Sequence, residues 1–314
     1  MNKQILVTDK VHPSLLNGLK NMGMRVNYQP KMPYDEVKIE VGKYSGIIIN
    51  SKVVCDATFL KQNTHLDFIG RLGSGLDIID LPMAKSLGIT VINSPEGNAN
   101  AVAEHALGML LNLLNNISRA HHQVRDFEWN REPNRGIELI GKTVGILGFG
   151  HTGSAVARKL QSWDVEIITY DKYKIDINKQ YPYVNQVTLS ELQSKSDILS
   201  IHLPLTKETR DMINADFLSK CKNKSIIINT SRGQILNTKD LLTYIESNHI
   251  SGACLDVIQN EKLETLSLDQ REIYQQLFAK DQVILTPHIA GWTHRSLVKI
   301  AHILLEKIRK YYDS

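Results

Sequence analysis

Cysteine is scarce in this chain of 314 residues. Cys55, Cys221 and Cys254 are the only three; their spacings match no metal-ligand pattern, and an odd number argues against a disulfide framework. The eleven histidines offer no pair with metal-binding spacing either, so no metal is expected. Long apolar runs are also missing. No stretch reaches the ~18–20 residues that span a bilayer, and the start, Met1-Asn-Lys-Gln-Ile-Leu-Val-Thr8, lacks the apolar core of a signal peptide. Blocks of like charge are absent. The 37 Lys and Arg residues stand against 33 Asp and Glu, for a formal charge of +4, and nowhere form a run of five or six. Nucleic-acid binding therefore has little support. No repeat of fixed period, low-complexity segment or charged tail occurs. These absences point to a cytoplasmic globular protein with a small-molecule partner, no nucleic acid and no membrane.

What is present is a composition of 42% hydrophobic and 22% charged residues, ordinary for a globular protein, at a length that accommodates two cores. The most informative stretch is Thr143-Val-Gly-Ile-Leu-Gly-Phe-Gly-His-Thr-Gly153. Its first five residues read as a buried strand, and Gly148, Gly150 and Gly153 then fall at G-x-G-x-x-G spacing. A helical pattern follows, with Val156, Leu160 and Trp163 as its apolar positions. The first glycine permits a tight turn, the second lets the backbone approach a pyrophosphate, and the third lets helix and strand pack closely. The N-terminus of the helix offers unpaired N–H groups to the anion. A second strand, Val165 to Tyr170, ends in Asp171, an acid placed to accept hydrogen bonds from an adenosine ribose and to repel a 2′-phosphate. NAD is the cofactor this pattern predicts.

The first hundred residues alternate short strands (Ile5–Val7, Val26–Tyr28, Gly46–Asn50, Phe68–Gly70, Thr90–Ile92) with amphipathic segments such as Ser14–Met22 and Leu81–Leu87, a rhythm that predicts a parallel sheet. In Arg71-Leu-Gly-Ser-Gly-Leu-Asp77 the glycines and serine either turn backbone N–H groups toward an anion or simply end a strand, and the stretch alone leaves both open. The turn-rich Asn93–Asn100 loop leads into one long helical run from Ala101 to about Val124, apolar enough to need cover on several sides. After Thr143 further strands are expected at Asp197–His202, Ser225–Asn229, Gly252–Asp256 and Val283–Thr286, with helices near 213–220 and 237–247. A closing helix within Ile289–Ser314 places Leu297, Ile300, Leu304 and Ile308 on its apolar side and folds back on the first domain.

Open parallel sheets bind ligands beyond the carboxyl ends of their strands. That rule selects Leu203 and Pro204, Thr230 to Gly233, Asp256 to Glu261, and Pro287 to Gly291. Within Asn229-Thr-Ser-Arg-Gly233, Arg232 carries a planar fork suited to a carboxylate and a 2-oxo group, though a solvated surface arginine is the commoner case. His288, in Thr286-Pro-His-Ile-Ala-Gly291, belongs to the residue type that exchanges protons near neutrality. Glu261 is a partner for its other ring nitrogen, which would favour the imidazolium. Only the strand-end position distinguishes His288 from the other histidines.

Taken in order, Gly70-Arg-Leu-Gly-Ser-Gly-Leu-Asp77, Ala101-Val-Ala-Glu-His105, Val144-Gly-Ile-Leu-Gly-Phe-Gly150, His202-Leu-Pro-Leu-Thr206, Asn229-Thr-Ser-Arg-Gly233, Leu255-Asp-Val257 and Thr286-Pro-His-Ile289 resemble the D-isomer-specific 2-hydroxyacid dehydrogenase family over almost the whole chain. The resemblance implies an α/β fold with a Rossmann-like NAD-binding domain (residues 100–289) inserted in a flavodoxin-like substrate domain (residues 1–99 and 290–314). It also implies an active-site cleft and a homodimer built largely on the nucleotide domain. Carried over residue by residue, the catalytic set falls on Arg232, Glu261 and His288. The amides for the substrate carboxylate fall on Ser74 and Gly75, and the pair holding the pyrophosphate on His151 and Thr152. Leu203, Pro204 and Thr230 match positions lining the cofactor, Asp256 matches the acid at the nicotinamide amide, and Gly291 is grouped with the cofactor contacts. The implied chemistry exchanges a hydride between nicotinamide and the 2-oxo carbon while His288 supplies or takes the proton.

Departures from the family pattern are informative. Lys262 follows Glu261 where the family has proline. The segment Lys262–Asp281 is longer and more polar than usual and is expected to hold an extra helix beside the cleft. Asn50-Ser-Lys52 replaces the common Arg-Ser start, leaving Lys52 as the candidate cation for a distal substrate group or, equally, an ordinary surface lysine, and Trp292 and His294 alter the rim. A regulatory amino-acid-binding domain is not expected. The branch closest in look acts on D-3-phosphoglycerate at the entry to serine synthesis; glyoxylate or hydroxypyruvate reduction is second and D-lactate chemistry third. A reading of another class is an NAD-sensing, corepressor-like binding protein.

Overall fold

A computed structural model describes residues 3–313; Met1, Asn2 and Ser314, the outermost residues of the expected first domain, lie outside them. The chain divides into two compact units, one made of both chain ends up to Ala99 and from Trp292, the other running from Asn100 to Gly291.

The first unit is a five-stranded sheet of β1 (Gln4–Val7), β2 (Arg25–Tyr28), β3 (Gly46–Ile49), β4 (Phe68–Arg71) and β5 (Thr90–Asn93), in the order β2-β1-β3-β4-β5 and parallel throughout. Strand side chains alternate between faces, and the core follows that period of two. Ile5, Val7, Ile48 and Phe68 pack on one face with Leu15 and Leu19 of the Pro13–Asn21 helix and with Ala301, Leu304 and Ile308 of the His294–Asp313 helix. Leu6, Ile47, Ile49 and Ile69 pack on the other, under the Tyr34–Glu40, Ala57–Gln62 and Leu81–Ser86 helices. Helices on both faces leave these strands apolar on both sides, which is why they read as continuous hydrophobic runs.

The second unit is a seven-stranded parallel sheet of β6 (Thr143–Leu147), β7 (Glu166–Tyr170), β8 (Asn185–Gln186), β9 (Ile198–Ile201), β10 (Ser225–Asn229), β11 (Ile250–Leu255) and β12 (Val283–Leu285). The order is β12-β11-β10-β9-β6-β7-β8. Strand order reverses between β6 and β9, and the crevice at such a switch point is where open α/β sheets take their ligands. Among the described residues no helix is long and apolar enough to cross a membrane.

Four local expectations are corrected. The run from 101 to 124 is two helices, Ala99–Leu114 and Ile117–Arg125. Asn116 adopts φ 53°, a left-handed conformation that asparagine tolerates better than most residues and that stops a helix. The Asn112 side chain then accepts the Ser118 N–H at 2.8 Å and caps the second helix. Trp163 lies beyond the end of the His151–Leu160 helix. The closing helix starts at His294 rather than near 289, because Thr293 and Ser296 cap it reciprocally, each side-chain oxygen accepting the other's N–H at 3.0 Å. Within that helix Leu297 is 44% exposed instead of packed.

Candidate active site

The glycine loop after β6 has little conformational freedom. Gly148 has φ +91°, and a Cβ there would lie 2.7 Å from the His202 carbonyl oxygen and 3.0 Å from Leu203 Cδ2. A Cβ on Gly153 would come within 2.2 Å of the Gly148 carbonyl oxygen, whereas one on Gly150 would meet nothing within 4 Å. The turn and the helix packing thus demand glycine at 148 and 153, and the space over Gly150 is open to a ligand. Gly150 precedes the His151–Leu160 helix, so the N–H groups of His151, Thr152 and Gly153 belong to its first turn and have no intrahelical acceptor. Asp171, beyond β7, locks the loop: one carboxylate oxygen accepts the Phe149 N–H at 2.7 Å, the other those of Tyr173 and Lys174 at 2.9 and 3.1 Å. The Lys174 ammonium donates to the Phe149 carbonyl at 2.8 Å. Leu203 and Pro204 follow β9 across the switch point; the Pro204 carbonyl accepts the Thr209 hydroxyl at 2.6 Å.

At the end of β10 the buried Asn229 shapes the next loop. Its Oδ1 accepts from the Ser231 N–H and hydroxyl at 3.0 and 2.8 Å, and its Nδ2 donates to the Arg232 carbonyl at 3.0 Å. A Cβ on Gly233 would fall 1.8 Å from the Ile258 carbonyl oxygen, so glycine lets the Arg232 loop press against the loop that follows β11. The Arg232 guanidinium donates to the Ser231 carbonyl at 2.8 Å. Thr230, beside it, has a buried hydroxyl with no protein partner, a polar atom left for a ligand.

Asp256, 1% exposed, is the hub of the next two strand ends. It accepts the Thr286 hydroxyl at 2.6 Å and the N–H groups of Ile289 and Ala290 at 2.8 Å each, and its carbonyl takes the His288 N–H at 2.8 Å. His105, from the Ala99–Leu114 helix, places Nε2 2.9 Å from the Thr286 hydroxyl and 3.6 Å from the Asp256 carboxylate. These bonds hold His288 at φ +56°, a left-handed conformation histidine adopts more readily than bulky residues do. Its ring reaches Glu261, Nδ1 to Oε2 at 3.0 Å, with both side chains about half exposed. Gly291 closes the loop as the last residue of the second unit.

In the first unit, the Gly73 N–H donates to the buried Ser94 hydroxyl at 3.1 Å, and the Asn93 amide donates to the Ser74 carbonyl at 2.9 Å. Gly73 has φ +120°. The N–H groups of Ser74 and Gly75 find no protein acceptor among the described residues. Lys52 is turned inward, its ammonium donating to the Thr8 carbonyl and, at 3.3 Å, to that of Pro30.

The second unit therefore lines Gly148, Gly150, Asp171, Leu203, Thr230, Arg232, Asp256, Glu261 and His288 along one carboxyl edge of its sheet, because all its strands run the same way. The orphaned Thr230 hydroxyl, the open space over Gly150 and the unpaired helix N–H groups fit a dinucleotide. No group of three or more His, Cys, Asp or Glu that could hold a metal occurs among the described residues. Nothing in the sequence marked Thr286 or His105 as partners of Asp256, although both lie within the segments that carry the family resemblance.

Residues 107–290 match the family model described as D-isomer specific 2-hydroxyacid dehydrogenase, NAD binding domain. A D-3-phosphoglycerate dehydrogenase of Archaeoglobus fulgidus is 32% identical over 305 residues, 97% of this chain and 56% of that one. A hydroxypyruvate reductase of Thermotoga maritima is 34% identical over 276 residues, covering 88% of this chain and 87% of its own. A crystal structure of D-lactate dehydrogenase from Aquifex aeolicus complexed with NAD and lactic acid superposes with a TM-score of 0.83 at 28% identity, covering 99% of this chain and 95% of that one. The chain belongs to the D-isomer specific 2-hydroxyacid dehydrogenase family, and its cofactor is NAD. It spans about half the length of the phosphoglycerate dehydrogenases it matches.

Proposed function

We propose that this protein interconverts a D-2-hydroxy acid and its 2-oxo acid, with Arg232, Glu261 and His288 as the catalytic set. The observation that carries this reading is the 3.0 Å pair of His288 Nδ1 and Glu261 Oε2 at the carboxyl edge of an NAD-binding sheet. A carboxylate at Nδ1 fixes the orientation of the ring, leaving Nε2 to give a proton to the substrate oxygen in reduction and to take it back in oxidation. Arg232 neutralises the substrate carboxylate and polarises the 2-oxo group. The unpaired N–H groups of Ser74 and Gly75 are assigned to the substrate carboxylate. When bound, the nicotinamide supplies or accepts the hydride. His151, Thr152 and Gly153 hold its pyrophosphate, Asp171 the adenosine ribose, Leu203, Pro204 and Gly291 line its path, and Thr230 and Asp256 stand nearest the reacting ring. The residue ranges 1–99 and 290–314 serve as substrate domain, and 100–289 as NAD-binding domain.

For the acid itself we take D-3-phosphoglycerate, which would place the protein at the entry to serine synthesis; similarity to relatives of that name along 97% of the chain supports it. Hydroxypyruvate or glyoxylate is the second reading, favoured by Lys52, two of whose three N–H donors are spent on main-chain carbonyls. A homodimer is supported by the apolar side chains exposed along 117–140: Ile117, Val124, Phe127, Trp129, Ile137 and Ile140. A reducing, cytoplasmic location agrees with three buried free thiols.

The test is NADH oxidation with 3-phosphohydroxypyruvate, hydroxypyruvate and glyoxylate side by side, for the native protein and His288→Ala. A kcat/KM at least ~100-fold higher for the phosphorylated acid, roughly 2.7 kcal/mol, selects serine synthesis. Equal or better rates with the smaller acids select the reductase. The His288→Ala variant is expected to lose ~10²–10⁴-fold in kcat with NADH binding retained. Full kcat in that variant sinks the mechanism, and no turnover at all shifts weight to an NAD-responsive binding protein.

A further inference from the structure

The residue at the centre of the proposed acid–base pair has little holding it directly. Glu261 is exposed, lies in an irregular loop, and among the described residues its carboxylate meets His288 alone. An exposed carboxylate on a loose loop samples many positions, and a 3.0 Å approach to a ring nitrogen needs a fixed backbone beneath it. The residue that follows Glu261 is Lys262, which places no ring restriction on that backbone, so the restraint has to come from hydrogen bonds.

The neighbouring backbone supplies one. The Asn260 N–H donates to the Tyr274 hydroxyl at 2.8 Å, and the Lys262 N–H donates to Asn260 Oδ1 at 3.0 Å. Both backbone amides flanking Glu261 are thus tied through Asn260. Asn260 Nδ2 donates to the Thr265 hydroxyl at 3.1 Å, which donates onward to the Lys262 carbonyl at 2.8 Å. On the other side, the Gln234 side chain holds the Gln259 carbonyl at 3.1 Å, and the Gln259 side chain accepts the Thr238 N–H at 2.9 Å.

Tyr274 is the fixed point of this set. It sits on the Leu268–Phe278 helix and is 4% exposed, with its ring 5.4 Å from that of Phe278. Ser267 and Gln270 form a capping box at the start of the helix, and Leu277 anchors it in the core. A buried tyrosine normally satisfies its hydroxyl, and this one does so by accepting the loop amide that precedes Glu261.

We infer that Tyr274, carried on the Leu268–Phe278 helix, is a positioning residue for the Glu261–His288 pair. The inference rests on the reading of Glu261 and His288 as the acid–base pair.

The experiment is a double-mutant cycle on the full chain with Tyr274→Phe, Glu261→Gln and the combination, reading kcat and KM for the 2-oxo acid, NADH affinity and the melting midpoint. Phenylalanine keeps the buried ring and removes only the acceptor oxygen. Tyr274→Phe is expected to lower kcat about 3–10-fold with NADH affinity unchanged, and to cost nothing further in the Glu261→Gln background. Asn260→Ala, which removes the tie to Lys262 without touching the core, is expected to do the same and decides the matter if Tyr274→Phe unfolds. A kcat loss from Tyr274→Phe that is equally large in both backgrounds overturns the inference, since the tyrosine then acts elsewhere. Native kcat in both Tyr274→Phe and Asn260→Ala, alongside a clear loss in Glu261→Gln, overturns it while leaving the acid–base reading intact. Native kcat in Glu261→Gln itself overturns both.

Discussion

The Asp256 carboxylate accepts the Ala290 N–H at 2.8 Å, two residues beyond His288, so a buried acid at the end of β11 sets the course of the loop that presents the histidine. Its other oxygen holds Ile289 and Thr286, and Thr286 in turn meets His105. The left-handed turn at His288 is therefore a consequence of where Asp256 sits. Proline at 287 and histidine at 288 are the residues that comply.

Replacing Asp256 by alanine takes the carboxylate acceptor from three donors, of which the Ala290 N–H is buried and those of Thr286 and Ile289 are part-buried. Each unmet donor costs about 1–3 kcal/mol, reduced where water enters, so a net loss of ~3 kcal/mol in unfolding free energy is expected. Urea denaturation of the variant measures it. An unchanged midpoint would mean that the His288 loop is held by something other than Asp256.

Asp171 should enforce NADH over NADPH, because a 2′-phosphate on the ribose would meet its negative charge. The native protein is expected to show a clear preference for NADH in kcat/KM, and Asp171→Asn to narrow it by at least ~10-fold, about 1.4 kcal/mol. Because Asp171 also accepts the Phe149, Tyr173 and Lys174 amides, some loss of NADH affinity should accompany the change. Equal use of both cofactors by the native protein contradicts this role.

His202 gives the fold an acid-sensitive point. Desolvation pushes its imidazole down to about 4, while the ring makes a 2.8 Å hydrogen bond to the Ser200 hydroxyl. Between pH ~6.5 and that value the unfolded chain takes up a proton that the folded chain refuses. The contribution to stability is thus complete above ~6.5 and is lost as pH falls through that window, by at most ~3 kcal/mol. Chemical denaturation from pH 7 to pH 4 should show this slope, flattened in His202→Gln. A slope identical in both proteins would assign the acid sensitivity to other groups.

The strand–glycine-loop–helix at 143–160 could be read from the sequence because it rests on short-range sterics. Gly148 has to accept a positive φ and Gly153 a near contact with the Gly148 carbonyl, and only glycine does either. Alternation of Ile5, Val7 and Ile48 against Leu6, Ile47 and Ile49 likewise follows from the geometry of a strand. The break at Asn115–Asn116 was not legible, since an apolar period continues across it and the cap comes from Asn112, a residue that any helix can carry on its surface. Lys52 shows the same limit: the sequence offered a cation for the substrate, and folding turned it onto the carbonyls of Thr8 and Pro30.

What the sequence determined by itself is most of the strands, the parallel character of both sheets and the family. All of these follow from local periodicity and from motifs whose residues lie within a few positions of one another. What only the tertiary structure decided is how the strand-end loops hold one another. Asp256 reaches Thr286 and Ala290, Gly233 passes the Ile258 carbonyl, and Tyr274 takes the Asn260 amide. Those partners are distant in sequence and become neighbours only when parallel strands bring their carboxyl ends to one edge. A hydrogen bond between such residues leaves no periodic trace in the chain.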